Sequence, residues 1–494
     1  MASVDGLITG MSTSDTIAQL MKVEAIPQNA LKTKISTATK MVTAYQNIST
    51  KMASIATAAN ALNNPGTWTT MKATSSSDTA VVSAGPDGAA GTLTFRIDEL
   101  AVAQQDTFTT GWVSSISNAA TSPVMADDTF TITRTDGSVA TLTPANKSLQ
   151  AVVAAINGEQ KSPYKAAAVL SAPGQYTLQL TAKESGVAAG AALDLLGGPT
   201  GLNFGAPSRV TPVDAQMTVI SPIIPSDPLA PRNDFPVTSG SNNFTDVMPG
   251  VTITATKKTA VADPPVTVTL APDGEGMATK IQTLVDNANA ALTEIAAQSK
   301  IKSGSIAAGA LAGDSAMRKL SQDILGAIGS GAAGLGTNGA AGSFSEVGIG
   351  VDKFGKLTFD KTTFIETYET DPDKARKYFN EYTPKAGGIV NDKFDPGYDT
   401  AVGLARKLET VSLIATEGVI NPEFPTQSRE GILQGLIQRR NENIRGLNDQ
   451  VSAWDVRLES RKAALQRQFS NLEVAMGKMQ QQSSWLASQL AGLR

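Results

Sequence analysis

From Leu433 to Leu493 the chain carries an apolar residue at every seventh position: Ile437, Ile444, Val451, Leu458, Leu465, Leu472, Met479, Leu486 and Leu493. No proline interrupts the run. A seven-residue period sustained this long commits the segment to one helix with a coiled-coil seam, because only a 3.5-residue turn keeps a single stripe facing a partner. A second apolar column runs beside the first. It lies three residues on in the first half (Leu447, Trp454) and four residues on in the second (Phe469, Met476, Leu490), with Arg461 and Lys462 at the change. The seam therefore changes sides at the basic pair, and its two halves are expected to face different neighbours. At about 1.5 Å per residue the helix is roughly 90 Å long, more than one globular domain can cover. It must find partners elsewhere.

A second seam lies near the other end. A small-residue stretch, Met1 to Ser14, leads into a short amphipathic pattern at Ile17, Leu20, Met21 and Val23, which Pro27 is expected to close. The next segment steps by three and four through Leu31, Ile35, Ala38, Val42, Tyr45, Ile48, Met52, Ile55, Ala59 and Leu62, and ends at Asn63-Asn64-Pro65-Gly66. Two long seams at opposite ends of one chain are natural partners. Both termini would then meet at one end of the molecule, with everything between them looped out as a head.

Between Trp68 and about Leu270 the apolar period switches to two. Leu93, Phe95 and Ile97 alternate with polar residues, and Tyr176/Leu178/Leu180, Val251/Ile253 and Val266/Val268/Leu270 do the same. Phe130 and Ile132 lead through Asp136-Gly137 to Val139 and Leu142, which reads as a hairpin with a two-residue turn. One helix interrupts, Leu149 to Asn157. The proline-rich stretch from Ser221 to Val237 reads as a linker between two β modules. After Gly276 the helical period returns at Ile281, Leu284, Val285, Ala288, Leu292 and Ile295, then at Met317, Leu320, Ile324 and Ile328. A tight hairpin is expected around Phe354-Gly355, then Asp360 as a helix cap, then a helix over about Ala401 to Ile414. The fold class is α+β multidomain: a discontinuous chain with N- and C-terminal coiled-coil helices, a helical bundle and an inserted β-rich head.

Composition narrows the chemistry. The 494 residues include no Cys and no His, which removes disulfides, thiolate nucleophiles, His bases and any His- or Cys-ligated metal, leaving carboxylate chemistry or none. Charge is uneven: residues 79–270 hold ten Lys/Arg against fifteen Asp/Glu, and residues 427–494 hold ten against six. The basic residues of the final helix are dispersed along its heptads rather than blocked ahead of them, so it does not read as a nucleic-acid-binding zipper. The N-terminus lacks an apolar signal region and no run is long enough to span a bilayer, so no membrane insertion is expected. Gly329 to Gly334 matches a GxGxxG spacing but follows a helix instead of a strand. Asp392 and Asp395 lack calcium-loop spacing, and Asp127-Asp128 adjoins a strand start, where the pair is expected to be solvated. No catalytic site, cofactor or metal is expected.

The tail Arg467-Gln468-Phe469 with Leu472-Glu473, followed by Gln480-Gln481-Gln482-Ser483-Ser484-Trp485-Leu486, resembles the C-terminal signature of the flagellar filament cap protein family, also called hook-associated protein 2. Similar matches are Gly348-Ile349 to Leu357-Thr358-Phe359-Asp360 with Phe364, Asp371-Pro372 and Tyr378-Phe379. So are Gly6-Leu7-Ile8-Thr9-Gly10-Met11, Ala44-Tyr45, and Gly91 to Thr94 with Leu100-Ala101 and Ala103-Gln104. Leu149 to Asn157 resembles a module shared among flagellin and hook-associated proteins.

The resemblance implies a non-catalytic homo-oligomer, usually a pentamer, at the tip of the extracellular filament, exported through the flagellar type III apparatus. Its partners would be flagellin, the hook-filament junction proteins and an export chaperone. Filament docking would fall to Leu458, Leu465, Phe469, Leu472, Met476, Met479, Trp485, Leu486 and Leu490, backed by a partner helix carrying Leu31, Ile35, Val42, Tyr45, Ile48, Met52 and Ile55. The implied domains are a terminal coiled coil (1–42 with 455–494), a leg bundle (43–78 with 271–454), a proximal β head (79–110 with 238–270) and a distal β insertion (111–237) holding the shared module and the linker. A hook-filament junction protein would share the terminal helices without the Gln482 to Trp485 tail. A β-headed adhesin on a coiled-coil stalk would need an anchor, which is not visible.

Overall fold

The computed structural model describes residues 12–85, 88–108, 116–190, 199–202, 206–222, 233–384, 398–419 and 429–491. The chain divides into two compact units, Met1–Trp68 with Gly274–Arg494, and Thr69–Asp273. Helices and sheets segregate along it, as an α+β class requires.

The first unit opens with α1 (Thr13–Glu24), capped by the Ser12 hydroxyl, which accepts the Asp15 N–H at 3.3 Å. Only Ala25 separates α1 from α2 (Ile26–Asn63). Pro27 therefore starts the long helix instead of closing the short one. In the first turn its missing N–H would have had no intrahelical acceptor, and its fixed φ already suits the helix. Every apolar step of α2 from Ala38 to Leu62 is buried. A short 3-10 turn, Pro65–Thr69, then folds Trp68 under the helix end, where its Nε1–H donates to Leu62 O at 2.7 Å.

The second unit holds β1 (Met71–Ser75), β2 (Ala80–Ala84), β3 (Gly91–Glu99), β4 (Gln105–Phe108), β5 (Phe130–Thr133), β6 (Val139–Leu142), α3 (Leu149–Gly158), β7 (Tyr164–Ala172), β8 (Gln175–Ala182), β9 (Pro207–Val210), β10 (Ala215–Val219), β11 (Phe235–Ser239), β12 (Asn243–Met248), β13 (Val251–Ala255) and β14 (Val266–Pro272). A five-stranded sheet, β1-β14-β3-β10-β11, and a three-stranded sheet, β12-β13-β2, share one core built on Phe95, Ile97, Met217, Phe244, Ile253 and Val268. A four-stranded sheet, β7-β8-β4-β9, the β5-β6 hairpin and α3 enclose a second core around Phe130, Ile132, Leu149, Val152, Ile156 and Leu178.

Two expectations are corrected here. The proline-rich segment does not link two β modules: the strands on either side of it, β10 and β11, pair with each other antiparallel and belong to the sheet of β3 and β14. Pro236 is tolerated because β11 is an edge strand, where a missing N–H interrupts no inner ladder. Residues 223–232 lie outside the described residues. The β5-β6 turn is longer than two residues. Arg134 N–H reaches Ser138 O at 2.7 Å across Thr135-Asp136-Gly137, with Gly137 at φ +80°, the three-residue loop that ends in a left-handed position. One consequence is that Ala140 and Leu142 face inward while Val139 is 63 % exposed.

The chain then re-enters the first unit with α4 (Gly274–Ser299), α5 (Ser315–Gly329), β15 (Ile349–Val351), β16 (Leu357–Phe359), α6 (Lys361–Thr370), α7 (Pro372–Asn380), β17 (Tyr382–Pro384), β18 (Tyr398–Ala401), α8 (Leu404–Thr416), β19 (Gly418–Val419), β20 (Arg429–Glu430) and α9 (Ile432–Ala491). The hairpin expected around Phe354-Gly355 is β15-β16. Asp360 caps α6 by accepting the Thr362 and Thr363 N–H groups, and these donors hold its carboxyl below the usual carboxylate range. α2, α4, α5 and α8 surround a single core with an aromatic floor of Trp68, Phe344, Phe364, Tyr368, Tyr378 and Phe379. Tyr368 stacks on Phe364 and donates its hydroxyl to Trp68 O at 2.9 Å, so the floor also anchors the turn after α2. Gly329 closes α5 and Gly331 and Gly334 adopt positive φ, so the GxGxxG spacing forms a loop with no strand before it. Asp392 and Asp395 lie outside the described residues. Among the described residues no cluster of three or more acidic side chains is placed to hold a metal, and no helix is long and apolar enough to cross a membrane.

Candidate functional site

α9 is one unbroken helix of 60 residues, and its surroundings change along its length. Its start belongs to the core of the first unit: Leu433 is fully buried, and Leu436 and Ile437 pack against the same cluster. Ile444, Leu447, Val451, Trp454 and Leu458 follow as a half-buried stripe, while most residues between them are exposed. The helix packed against this stretch is α2. Of the proposed partner residues, Leu31 and Ile35 are half-buried and Val42, Tyr45, Ile48, Met52 and Ile55 are buried. Gln28 Nε2 donates to Asp455 Oδ1, and Arg461 Nε pairs with Glu24 Oε1 at 3.2 Å. Numbers fall along one helix as they rise along the other, so the pair is antiparallel. The Arg457 guanidinium lies 4.8 Å from the Trp454 ring centroid, covering the indole at the edge of the seam.

Arg461 stands opposite the break between α1 and α2, so the change of side in the seam coincides with the passage of α9 from one partner helix to the other. From there on the neighbour is α1, which packs along α9 with Ile17 and Leu465 both buried and Phe469 half-buried. The second half of the seam thus begins on a partner from its own chain. Among the described residues, cover ends after Phe469. Leu472, Met476, Met479, Trp485, Leu486 and Leu490 are all exposed, from 40 % at Met476 to 63 % at Leu490. These residues run over about 27 Å of helix. Apolar side chains in a continuous stripe of that length mark an interaction surface, whereas single exposed ones need no explanation.

Two polar arrangements escaped the sequence reading. Glu409 on α8 is 8 % exposed and accepts from Asn60 Nδ2 at 3.2 Å and Asn63 Nδ2 at 2.7 Å, while Arg406 lies 3.7 Å away and also donates to Asn63 O. This cluster fastens the end of α2 to α8. Near the middle of α2 the Tyr45 hydroxyl donates to Asp314, the residue that caps α5 through Ala316 N–H. Burial, reinforced by that carboxylate, pushes the Tyr45 hydroxyl up to about 12. Asn60, Asn63 and Glu409 are polar residues far apart in sequence with no local pattern, so only the tertiary fold brings them together. Their partners are used for fastening, and none is arranged as a nucleophile with a base.

Comparison with known proteins points to one family. Residues 9–104 match the family model described as "Flagellar hook-associated protein 2 N-terminus", and residues 229–481 match "Flagellar hook-associated protein 2 C-terminus". The flagellar hook-associated protein 2 of Salmonella typhimurium is 26 % identical over 269 residues, covering 53 % of this chain and 50 % of that protein. The lateral flagellar hook-associated protein 2 of Vibrio parahaemolyticus is 24 % identical over 226 residues, covering 46 % and 48 %. The chain thus spans about half the length of the curated relatives it matches. Among solved structures, the D1-D2-D3 domains of the Escherichia coli flagellar cap protein FliD superpose with a TM-score of 0.52 at 18 % identity, covering 80 % of this chain and 99 % of that one, a likeness of fold. The C-terminal match alone takes in half of the chain and most of the helix that carries the seam, and the chain belongs to the flagellar hook-associated protein 2 family.

Proposed function

We propose that this chain is a non-catalytic cap for the flagellar filament, seated at the distal tip, where it promotes folding and insertion of exported flagellin. The observation that carries the reading is the exposed apolar stripe from Leu472 to Leu490, which runs beyond the described part of α1. Its occupant would be the end of the filament, with α1, α2 and α9 as the docking stem (residues 1–42 with 455–494). The helical bundle would act as legs and the β unit as a plate beneath which flagellin folds. The names carried by the relatives support this: flagellar hook-associated protein 2 for the Salmonella protein and flagellar cap protein for the Escherichia coli structure. On this reading several copies, usually five, assemble as a ring outside the cell, after export by the flagellar type III route with a dedicated chaperone and in sequence with the junction proteins.

The test is a Leu472→Glu substitution, which puts an unpaired carboxylate into an apolar contact. Leu472 is half exposed in the free chain, so the protein should fold and be exported normally. Flagellin should then escape unpolymerised into the medium. Gln481→Glu, on a position that is already exposed and polar, serves as the matched control. Filaments of normal length from Leu472→Glu cells would show that the stem does not anchor the cap.

A further inference from the structure

The glycine-rich loop after α5 carries one asparagine, Asn338, and the next residue is Gly339. The same dipeptide occurs at Asn157-Gly158, at the end of α3. In an Asn-Gly pair the side-chain amide is open to attack by its own backbone, because glycine has no Cβ to shield the attacking nitrogen. Both asparagines are exposed, so access to solvent does not separate them.

What separates them is how each is held. The Asn157 amide is clasped by β7, where Nδ2 donates to Ala166 O and Oδ1 accepts the Ala166 N–H, each at 2.9 Å. Attack on its carbon would break both bonds. Among the described residues no hydrogen bond reaches the Asn338 side chain. Its backbone is left-handed, φ +58° and ψ +29°, a well that L-residues occupy at a cost. The Gly339 N–H donates to Gly336 O at 3.2 Å, the long end of the range, and a Cβ built on Gly339 would meet nothing within 4 Å. The attacking nitrogen is lightly held and has room to move. The ends of the loop are pinned by contrast. Ala332 and Gly342 exchange two backbone hydrogen bonds at 2.8 Å, Lys407 Nζ donates to Ser330 Oγ at 2.7 Å, and a Cβ on Gly342 would fall 2.2 Å from the Tyr378 hydroxyl. Chemistry at the tip therefore leaves the base of the loop in place.

We propose that Asn338 is a site of spontaneous deamidation and that the fold spares Asn157. The Gly339 nitrogen attacks Asn338 Cγ and gives up its proton as ammonia leaves, which closes a five-membered succinimide. Water then opens the ring at either carbonyl, giving aspartate or isoaspartate. Both products add a negative charge. Isoaspartate also routes the main chain through the side-chain carbon, so the backbone hydrogen bond from Gly336 N–H to Ala340 O is lost. No step restores the ammonia, and the modified share grows with the time since folding. This chemistry lies outside the cap reading and does not depend on it.

Trypsin places the two asparagines on separate peptides, residues 148–161 and 320–353, and neither peptide holds another asparagine. The purified protein is warmed in mildly alkaline buffer, sampled over days and mapped by mass spectrometry, with fragmentation that tells isoaspartate from aspartate. A second batch is kept unfolded in urea. The expected result is that Asn338 converts at least about tenfold faster than Asn157 in the folded protein, because only the held site must first open. Isoaspartate should exceed aspartate, and the two rates should come together in urea. Four results overturn the proposal: Asn338 unchanged in the folded protein, both asparagines converting alike there, aspartate without isoaspartate, or a gap of the same size in urea.

Discussion

Tyr45, Ile48, Met52, Ile55, Ala59 and Leu62 on α2 are wholly buried, whereas Leu472, Met479, Leu486 and Leu490 on α9 are at least half exposed, although both sets recur at coiled-coil spacing. The difference lies in what each helix meets. α2 is flanked by α4, α8 and the first half of α9, so each apolar step falls on another helix. α9 follows α2 and then α1 in antiparallel register, and the described part of α1 begins at Thr13, close to where cover on α9 ends after Phe469. A heptad pattern thus states that a stripe needs a partner, and only the neighbours placed beside each stretch show whether the described residues of the same chain supply one.

The sharpest test of the contrast is a pair of truncations. Ile48→Ala, in the closed core, should lower unfolding free energy by about 2–5 kcal/mol in urea titration of the isolated protein. Equal destabilisation from Leu486→Ala would remove the distinction between the two seams. Next in size is the polar fastening of the α2 end. Glu409→Ala leaves the Asn60 and Asn63 amides without their acceptor and should cost roughly 1–3 kcal/mol in the same titration. No effect would mean that apolar packing alone holds α2 to α8.

Tyr45 gives a pH signature confined to the closed half. Its hydroxyl is raised from 10.0 to about 12, so the folded state keeps a proton that the unfolded state releases. The stability it contributes is therefore complete below about pH 10 and is lost as pH rises towards about 12. Tyr45→Phe should flatten the alkaline fall in unfolding midpoint. Part of the fall should persist, because burial, helped by Glu346, also raises Tyr378 to about 12. The smallest effect belongs to the open half: Leu486→Ala should change the stability of the isolated chain by no more than about 0.5 kcal/mol, while weakening retention at filament ends.

Much of this arrangement is legible in the residues. Period alone places α2, α9 and strands β3, β8, β13 and β14, and Asp360 announces its helix, because such signals need only neighbours in sequence. What stays hidden depends on pairing at a distance. The proline-rich stretch looks like a linker until β10 and β11 are seen to pair across it. Pro27 looks like a stop until Ala25 is seen to make the turn ahead of it. The change of seam at Arg461 is visible in the residues, but the α1–α2 break opposite it is not, since that requires knowing which residues of another helix lie there. Within the seam of α9 the sequence presents Leu465 and Leu472 as equivalent, and only the end of cover from the described part of α1 separates them.

Amide hydrogen exchange across Leu472 to Leu490 tests the central claim most directly, because it reports whether this stretch is held by its own chain. In dilute purified protein these amides should exchange rapidly, far faster than those of α2 from Tyr45 to Leu62. On protein bound to filament ends they should become protected. Slow exchange across Leu472 to Leu490 in the dilute monomer, or no gain in protection on the filament, would contradict the account of this half of α9 as a surface completed by another molecule.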